Sequence, residues 1–183
     1  MKIPVVNEQD EIIGSEERSV VHRDGLKHRE VGVWLVTSDD EIVFQKRALF
    51  KEIYPGLLDC TAGGHVDSSS ESYETAATRE LVEETGQRNL KLFMFDKKYG
   101  EEFDPVTNIS NNRFSTVFVA RLNTPVEELV VEDGKVTSFK AFSINSLKNL
   151  DDTQKEQFIP RFITDESIND FQKMIDFLHT NKS

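Results

Sequence analysis

The stretch that decides the fold runs from residue 63 to residue 86 and reads GGHVDSSSESYETAATRELVEETG. Its second half predicts a helix from Ser72 to Thr85, because apolar side chains recur on one side at helical spacing. The members of this apolar stripe are Ala76, Ala77 and Leu81, with Tyr73 as a further candidate. Gly86 follows directly, in the position where a glycine commonly ends a helix. The stretch therefore predicts an amphipathic helix over about residues 71–86, with acidic residues on its other side.

The segments around this helix are short and mostly apolar, which is typical of β-strands. We predict strands at residues 2–6, 11–14, 31–36, 41–47, 57–62, 90–95, 113–122 and 136–144. A second amphipathic helix is predicted from Ser167 to His179, where apolar residues recur at helical spacing. Strands and helices are mixed without strict alternation. This order predicts an α+β or α/β protein built as a sandwich of layers.

Length and charge limit the class of protein. The 183 residues predict one domain that spans residues 1–183. A net charge of −11 repels nucleic acid backbones and anionic membranes, and it suits a protein that holds a cation. The single cysteine excludes an internal disulfide and predicts a reducing, cytoplasmic location. Residues 1–10 do not have the pattern of a signal peptide, and no apolar stretch predicts a membrane span.

Three glutamates concentrate negative charge on the first helix. Glu80, Glu83 and Glu84 stand at i, i+3 and i+4, so a helix places them on one face. A solvated acidic face is one interpretation. A bound divalent cation is the other, because it would remove the repulsion between the three carboxylates. Oxygen ligands favour Mg²⁺, Mn²⁺ or Ca²⁺, and Mg²⁺ with open positions for phosphate oxygens is common in phosphate chemistry.

The same stretch resembles a known sequence motif. Residues 79–86, RELVEETG, resemble REUxEExG, the second half of the Nudix box, in which U is a bulky aliphatic residue. Glu71, eight residues before Arg79, matches the first glutamate of the box. Gly64 lies seven residues before Glu71 instead of six, so one of the three serines at 68–70 is the expected insertion. The last position of the box is Gln87 instead of an aliphatic residue.

The resemblance implies an α/β/α sandwich with a mixed sheet. It also implies a hydrolase that uses Mg²⁺, with Mn²⁺ as the alternative, to cleave a diphosphate linked to another group, X. The metal ligands implied are Glu80, Glu83, Glu84 and the backbone of Gly64. Glu83 or Glu84 would orient water or act as the base, while Glu71 and Arg79 would support the site. An alternative base would come from a later acidic loop, with Glu127, Glu128, Glu132 and Asp133 as candidates.

Residues 1–145 are similar to one branch of this superfamily, the one related to the type I isopentenyl-diphosphate isomerases. The matching segments are 22–29, 33–36, 45–47 and 55–59. The isomerase carries a catalytic cysteine where this chain has Gly63, and a Glu-x-Glu-x-Cys segment where residues 111–115 read NNRFS. Both differences favour a hydrolase over an isomerase.

Three histidines match the isomerase's metal positions: His22, His28 and His65. Because the glutamates that complete that metal site are absent, we expect these histidines to be hydrogen-bonded scaffold residues. A softer metal such as Zn²⁺ is the alternative.

The sequence names the substrate only by class. We expect a small-molecule diphosphate, with a capped RNA or a nucleotide as the nucleic-acid alternative, and we expect no membrane partner. Lys46 and Arg47 would face the phosphates, and Trp34 would stack on a base. X is open between nucleosides, nucleotide sugars, coenzymes and prenyl groups, and a homodimer is also left open. A non-catalytic ligand-binding module is the competing class, although it would not need three intact glutamates.

Overall fold

The computed structural model of the chain describes residues 1–51, 53–132 and 134–181. The strands are β1 (Lys2–Val6), β2 (Ile12–Glu17), β3 (His28–Val36), β4 (Ile42–Arg47), β5 (Leu58–Asp59), β6 (Ala62–His65), β7 (Phe93–Asp104), β8 (Ile109–Arg121) and β9 (Val136–Phe142). The helices are α1 (Arg18–Asp24), α2 (Tyr73–Thr85), α3 (Ile144–Lys148), α4 (Asp152–Lys155) and α5 (Asp165–Thr180). Two 3₁₀ turns lie at Val126–Glu128 and Pro160–Phe162.

A mixed seven-stranded sheet forms the centre of the fold. Its main path runs in the order β5-β4-β3-β8-β7, while β6 also pairs with β3 and β9 also pairs with β4. The β3–β8 pair is parallel, and the other pairs of this sheet are antiparallel. Strands β1 and β2 form a separate antiparallel hairpin. The parallel pair in the centre is what makes the sheet mixed.

Helices cover both faces of this sheet. Along β3, Val33 and Leu35 belong to the apolar cluster under α2, whereas Trp34 and Val36 belong to the cluster under α5. This alternation follows from the period of two in a strand, and it explains why β3 is apolar almost throughout. The predicted α/β/α sandwich with a mixed sheet is therefore confirmed. In the described part of the chain, no helix has the length and apolar character needed to span a bilayer.

Local signals set the ends of α2 as the sequence predicts. The Ser72 side chain accepts a hydrogen bond from the Thr75 amide at 3.1 Å and so caps the first turn. Gly86 ends the helix in the left-handed conformation, with φ of 71°. The helix packs against the sheet through small side chains, Ala76 and Ala77, which allow its backbone to lie close to β3 and β6.

Two predicted segments differ from the structure. The strand predicted at 57–62 is divided into β5 and β6, and β6 continues to His65, so that Gly63 and Gly64 pair with Gly32 and Val31 of β3. The β7–β8 hairpin is much longer than the strands predicted at 90–95 and 113–122. Its outer half is rich in charged and polar residues and lacks the apolar pattern by which a strand is predicted. Backbone hydrogen bonds between β7 and β8 hold this half together.

Removing an aromatic side chain from the core under α5 is expected to destabilise the whole sandwich. Phe171 is 2% exposed, and its ring centroid lies 4.7 Å from that of Trp34. We expect Phe171→Ala to lower the free energy of unfolding by about 3–5 kcal/mol, through lost burial and the cavity left behind. Lys173→Ala, on the exposed side of the same helix, should change it by less than about 0.5 kcal/mol. Urea unfolding measures both values, and a loss below about 1 kcal/mol for Phe171→Ala would contradict this account.

Candidate active site

One cavity of about 720 Å³ gathers most of the predicted site residues. It is lined by Glu80, Glu83 and Glu84 of α2, by Gly64 of β6, and by Arg79 and Arg47. The i, i+3, i+4 spacing of the glutamates points all three towards this cavity. Glu80 and Glu84 are buried, at 6% and 5% exposure, whereas the Glu83 side chain is 42% exposed.

Arg79 lies among the acidic side chains of the site and contacts Glu71, Glu80 and Glu83. Its Nε donates to Glu71 Oε1 at 2.9 Å, and its Nη1 donates to Glu80 Oε1 at 2.6 Å. Its Nη2 donates to the His65 carbonyl at 2.9 Å, which ties α2 to the end of β6. Nη1 also lies 3.6 Å from Glu83 Oε2. Arg79 and Glu71 therefore contact each other directly.

The loop in which the extra residue is expected still brings Glu71 to Arg79. The three serines at 68–70 are exposed, and the Glu71 amide donates to the Ser68 carbonyl at 3.1 Å, so the loop turns outwards there. Glu71 Oε2 then accepts from the Asp67 amide at 2.7 Å. Burial opposes ionisation of Glu71, but the hydrogen bonds from Arg79 and from this amide lower its pKa below the usual value.

Glu84 and Glu80 carry incompletely compensated charge. Glu84 Oε2 accepts from Gln45 Nε2 and from the Gly63 amide, each at 3.0 Å. Among the described residues, no cation lies within ion-pair distance of Glu84. Burial, followed by the charge of Glu80, raises the pKa of Glu84 to about 7. Burial also raises the pKa of Glu80, although Arg79 acts in the opposite direction.

The two glycines of β6 leave room for these carboxylates. A Cβ on Gly64 would overlap the carboxylate of Glu80, so any other residue would push that side chain away. A Cβ on Gly63 would lie 2.7 Å from the Val31 carbonyl oxygen across the strand pair. The glycine pair therefore allows close backbone approach to the acidic helix.

Basic residues reach the cavity from several elements. Arg47 donates to Asp59 Oδ2 at 2.7 Å, and Lys51 lines the cavity beside it. Lys135 also lines the cavity and forms an ion pair with Glu132 at 2.9 Å. Burial, followed by the charge of Arg47, lowers the pKa of Lys51. Lys135 was not predicted, because an isolated lysine in an acidic loop carries no sequence signal for a site.

Other predicted residues lie elsewhere. Trp34 is buried in the aromatic core, 5.0 Å from Phe44 between ring centroids, on the sheet face that α5 covers. Lys46 is exposed and does not line the cavity. In the later acidic loop, Glu132 pairs with Lys135, and Asp133 lies outside the described residues. Of the predicted substrate-binding residues, the structure thus brings only Arg47 to the acidic helix.

The three histidines meet beside the cavity. Ligand atoms of His22, His28 and His65 lie within 4.8 Å of one another, and His22 Nε2 is 3.1 Å from His65 Nε2. Burial lowers the pKa of His22, and it lowers that of His65 to about 3, so both rings are neutral at pH 7. Glu30 Oε1 faces His65 at 3.5 Å, while Glu30 Oε2 is paired with Arg113 Nε at 2.8 Å. The guanidinium already neutralises this carboxylate, and the scaffold role of the histidines stays a prediction.

The comparison with known proteins agrees with this geometry. The NUDIX domain family matches residues 26–162. An uncharacterised Nudix hydrolase of Pseudomonas aeruginosa is 36% identical over 126 residues, which cover 68% of this chain and 72% of that protein. Nudix hydrolase 3 of Arabidopsis thaliana is 29% identical over 158 residues, which cover 83% of this chain but only 20% of that longer protein. The chain spans about half the length of several other curated relatives.

Solved structures show the same fold. The crystal structure of DR0079 from Deinococcus radiodurans superposes with a TM-score of 0.65 at 24% identity, covering 80% of this chain and 86% of that one. The matched family region includes α2, β6 and the three glutamates that line the cavity. The chain belongs to the Nudix family.

Proposed function

We propose that the protein is a Mg²⁺-dependent hydrolase that cleaves the diphosphate linkage of a small molecule. The observation that carries this proposal is the set of three glutamates around one cavity. Glu80 and Glu84 are buried, and Glu84 has no cationic partner among the described residues. Family membership supports the same chemistry. The proposal includes Mn²⁺ as an alternative cofactor, because the same oxygen donors suit it.

The residues present fit a hard divalent cation. Glu80, Glu83 and Glu84 supply only oxygen ligands, and the backbone of Gly64 approaches Glu80 closely. Burying Glu84 without a counter-charge is costly, and a cation in the cavity would offset that cost. When bound, such an ion neutralises charge on the diphosphate oxygens and activates the phosphorus towards water.

The chain's own side chains supply positioning. Glu83 is the most exposed of the three glutamates, which suits it to orient a water or accept its proton. Arg79 keeps Glu80 and Glu71 in place through its hydrogen bonds. Arg47 and Lys51 offer positive charge to the phosphates from β4 and the segment after it. Phosphoryl transfer depends mainly on such positioning and charge neutralisation.

Two other functions compete with hydrolysis. A non-catalytic binding module would keep the cavity but would gain nothing from a full acidic set. An isomerase related to the proposed branch needs a reactive cysteine, and Cys60 does not suit that role. Burial raises the pKa of the Cys60 thiol well above its usual value, and the thiol donates to the Ala62 carbonyl at 3.4 Å.

The proposal predicts metal-dependent hydrolysis of a diphosphate linkage. We expect the wild-type protein with Mg²⁺ to convert at least one member of a diphosphate panel into phosphomonoesters, with free phosphate where the cleaved phosphate is terminal, and to stop when EDTA is added. The double variant Glu83→Gln, Glu84→Gln should lose at least about 100-fold in kcat/KM, since a carboxylate–metal contact contributes several kcal/mol to the transition state. Glu74→Gln, on the exposed side of the same helix, is the matched control and should keep full activity.

Isopentenyl diphosphate is assayed in the same preparation for isomerisation. Isomerised product would overturn the hydrolase proposal. Ligands that raise the melting temperature without any turnover would favour the binding module instead.

Burial of Glu84 also predicts that the difference in stability between wild type and the Glu84→Gln variant depends on pH. Because its folded pKa of about 7 lies above the unfolded value, the protonated carboxyl stabilises the fold at low pH, and this stability is lost as the pH rises through 7. The side chain introduced by Glu84→Gln cannot ionise. With EDTA present, the free energy of unfolding of this variant relative to that of wild type should therefore rise by on the order of 2 kcal/mol between pH 4.5 and pH 8. Urea unfolding at both pH values measures this gain. If the free energies of unfolding of the variant and wild type differ by the same amount at both pH values, Glu84 is not a buried, uncompensated charge.

A further inference from the structure

The central sheet ends in an open edge strand. Strand β7 spans 12 residues, about twice the usual length of a strand, and within the described residues it pairs only with β8. No backbone hydrogen bond joins its outer side to another described segment. Backbone N–H and C=O groups therefore face outwards along this strand, and such an edge is a template for pairing with another strand.

One face of β7 carries its exposed side chains in a symmetrical order. Met94 lies opposite Phe118 of β8, which packs under α2, so Met94 is on the same side of the sheet as α2. A bulge between Met94 and Asp96 inserts one extra residue, and Lys97 is therefore the next residue on that face. Five exposed residues share this face, and we call them the outer stripe: Met94, Lys97, Tyr99, Glu101 and Phe103. Their order is apolar, basic, aromatic, acidic and apolar, which is self-complementary about the central tyrosine.

The protein leaves the charges of the outer stripe incompletely balanced. Lys97 Nζ lies 2.5 Å from Asp10 Oδ2, but Arg29 Nε also donates to Asp10, at 2.7 Å, so two cations share one carboxylate. Glu101 Oε1 accepts from Tyr99 Oη at 2.6 Å, and in the described part of the chain no cation lies within ion-pair distance of Glu101. A positive and a negative charge thus lie two positions from Tyr99, one on each side.

Both apolar ends of the outer stripe are exposed to water. Met94 is 63% exposed and Phe103 is 59% exposed. Charged residues on a sheet edge usually keep other strands away. Towards a second copy of this strand their order has the opposite effect, because antiparallel pairing places each charge opposite the other sign and each apolar end opposite the other apolar end.

We propose that β7 is a homodimer interface, in which two copies of the strand pair antiparallel about a two-fold axis at Tyr99. Lys97 then lies opposite the partner's Glu101, and the same pair recurs on the other side of the axis. The two Tyr99 rings meet, and the bulge brings Met94 opposite the partner's Phe103. Each such cross-strand pair is stabilising, and the two central sheets join into one. This surface is separate from the acidic helix, and its role does not depend on the hydrolase function.

The other face of β7 is compatible with this pairing. There Asp96 comes opposite the partner's Glu102, which brings two carboxylates together. Glu102 Oε2 already accepts from Arg161 Nη1 at 2.9 Å and from Arg113 Nη2 at 3.3 Å. Lys98 Nζ lies 3.4 Å from Asp96 Oδ2. Both carboxylates are thus balanced within their own chain, which reduces the repulsion between them.

Sedimentation equilibrium of the full chain tests the interface. The wild-type protein should have twice the mass of a single chain at micromolar concentration and should dissociate on dilution. Lys97→Glu and Glu101→Lys each place like charges opposite each other at two positions per dimer, so each should raise the dissociation constant at least about tenfold. Lys148→Glu, at an exposed position at the end of α3, makes the same charge change away from β7 and is the matched control.

Mixing the two variants distinguishes lost pairing from lost structure. In a dimer of one Lys97→Glu chain and one Glu101→Lys chain, residues 97 and 101 again have opposite charges at both positions. The equimolar mixture should therefore dimerise with a dissociation constant within about threefold of that of wild type. Because Lys97→Glu also loses the contact with Asp10, melting temperatures are measured for all variants.

Cross-linking tests the register. Only a residue on the two-fold axis lies opposite its own copy, and a disulfide needs Cα atoms within about 7 Å of each other. Tyr99→Cys should therefore give a covalent dimer under mild oxidation. Glu101→Cys should not, because the two copies of that position are about 13 Å apart along the strands. Wild type, whose single cysteine Cys60 lies outside β7, is the control.

A wild-type protein that stays monomeric at every concentration would overturn the proposal. A dimer that both charge variants leave intact would place the interface elsewhere. Variants that dissociate but do not associate when mixed would mean that the substitutions act through the fold, and the proposal would fail. Cross-linking of Glu101→Cys without cross-linking of Tyr99→Cys would refute the axis at Tyr99.

Discussion

The burial of two carboxylates against a glycine strand is the constraint on which the site depends. Glu80 and Glu84 lie at the interface between α2 and β6, where ionised groups lose hydration. The protein compensates Glu80 with the neighbouring Arg79, whereas the described residues give Glu84 only neutral donors. Gly64 has no side chain that would displace the carboxylate of Glu80. Helix, strand and arginine are thus coupled, and a change in one of them alters the charge balance of the others.

Much of this arrangement is local in the sequence, and for that reason it could be predicted. Once the apolar stripe assigns a helix, the spacing of Glu80, Glu83 and Glu84 fixes their common face. Ser72 and Gly86 fix the ends of that helix by hydrogen bonding and backbone conformation. The layered α/β class follows from the pattern of elements. The α/β/α sandwich with its mixed sheet was an implication of family resemblance, because the register of distant strands leaves no local trace.

The rest of the site depends on contacts between distant segments. Gln45 donates to Glu84 across 39 positions, and Lys135 and Arg161 come from segments that resemble solvated surface. The error for Trp34 has a different cause. Strand β3 is buried on both faces, so its apolar run does not indicate which face leads to the cavity. Only the packing of α2 on one face and α5 on the other decides that Trp34 belongs to the core.

The net charge of −11 raises the question of how such a protein attracts a diphosphate. Four cationic side chains at the cavity are already paired with carboxylates: Arg47, Arg79, Lys135 and Arg161. An anionic substrate that relied on them alone would have to compete with those carboxylates and would also face the three glutamates of α2. In the proposed hydrolase, a divalent cation held by the glutamates would reverse the local sign of the potential at the position where the phosphates would bind. On this argument the acidic excess would not oppose phosphate binding in the proposed hydrolase, because that binding would depend on the metal.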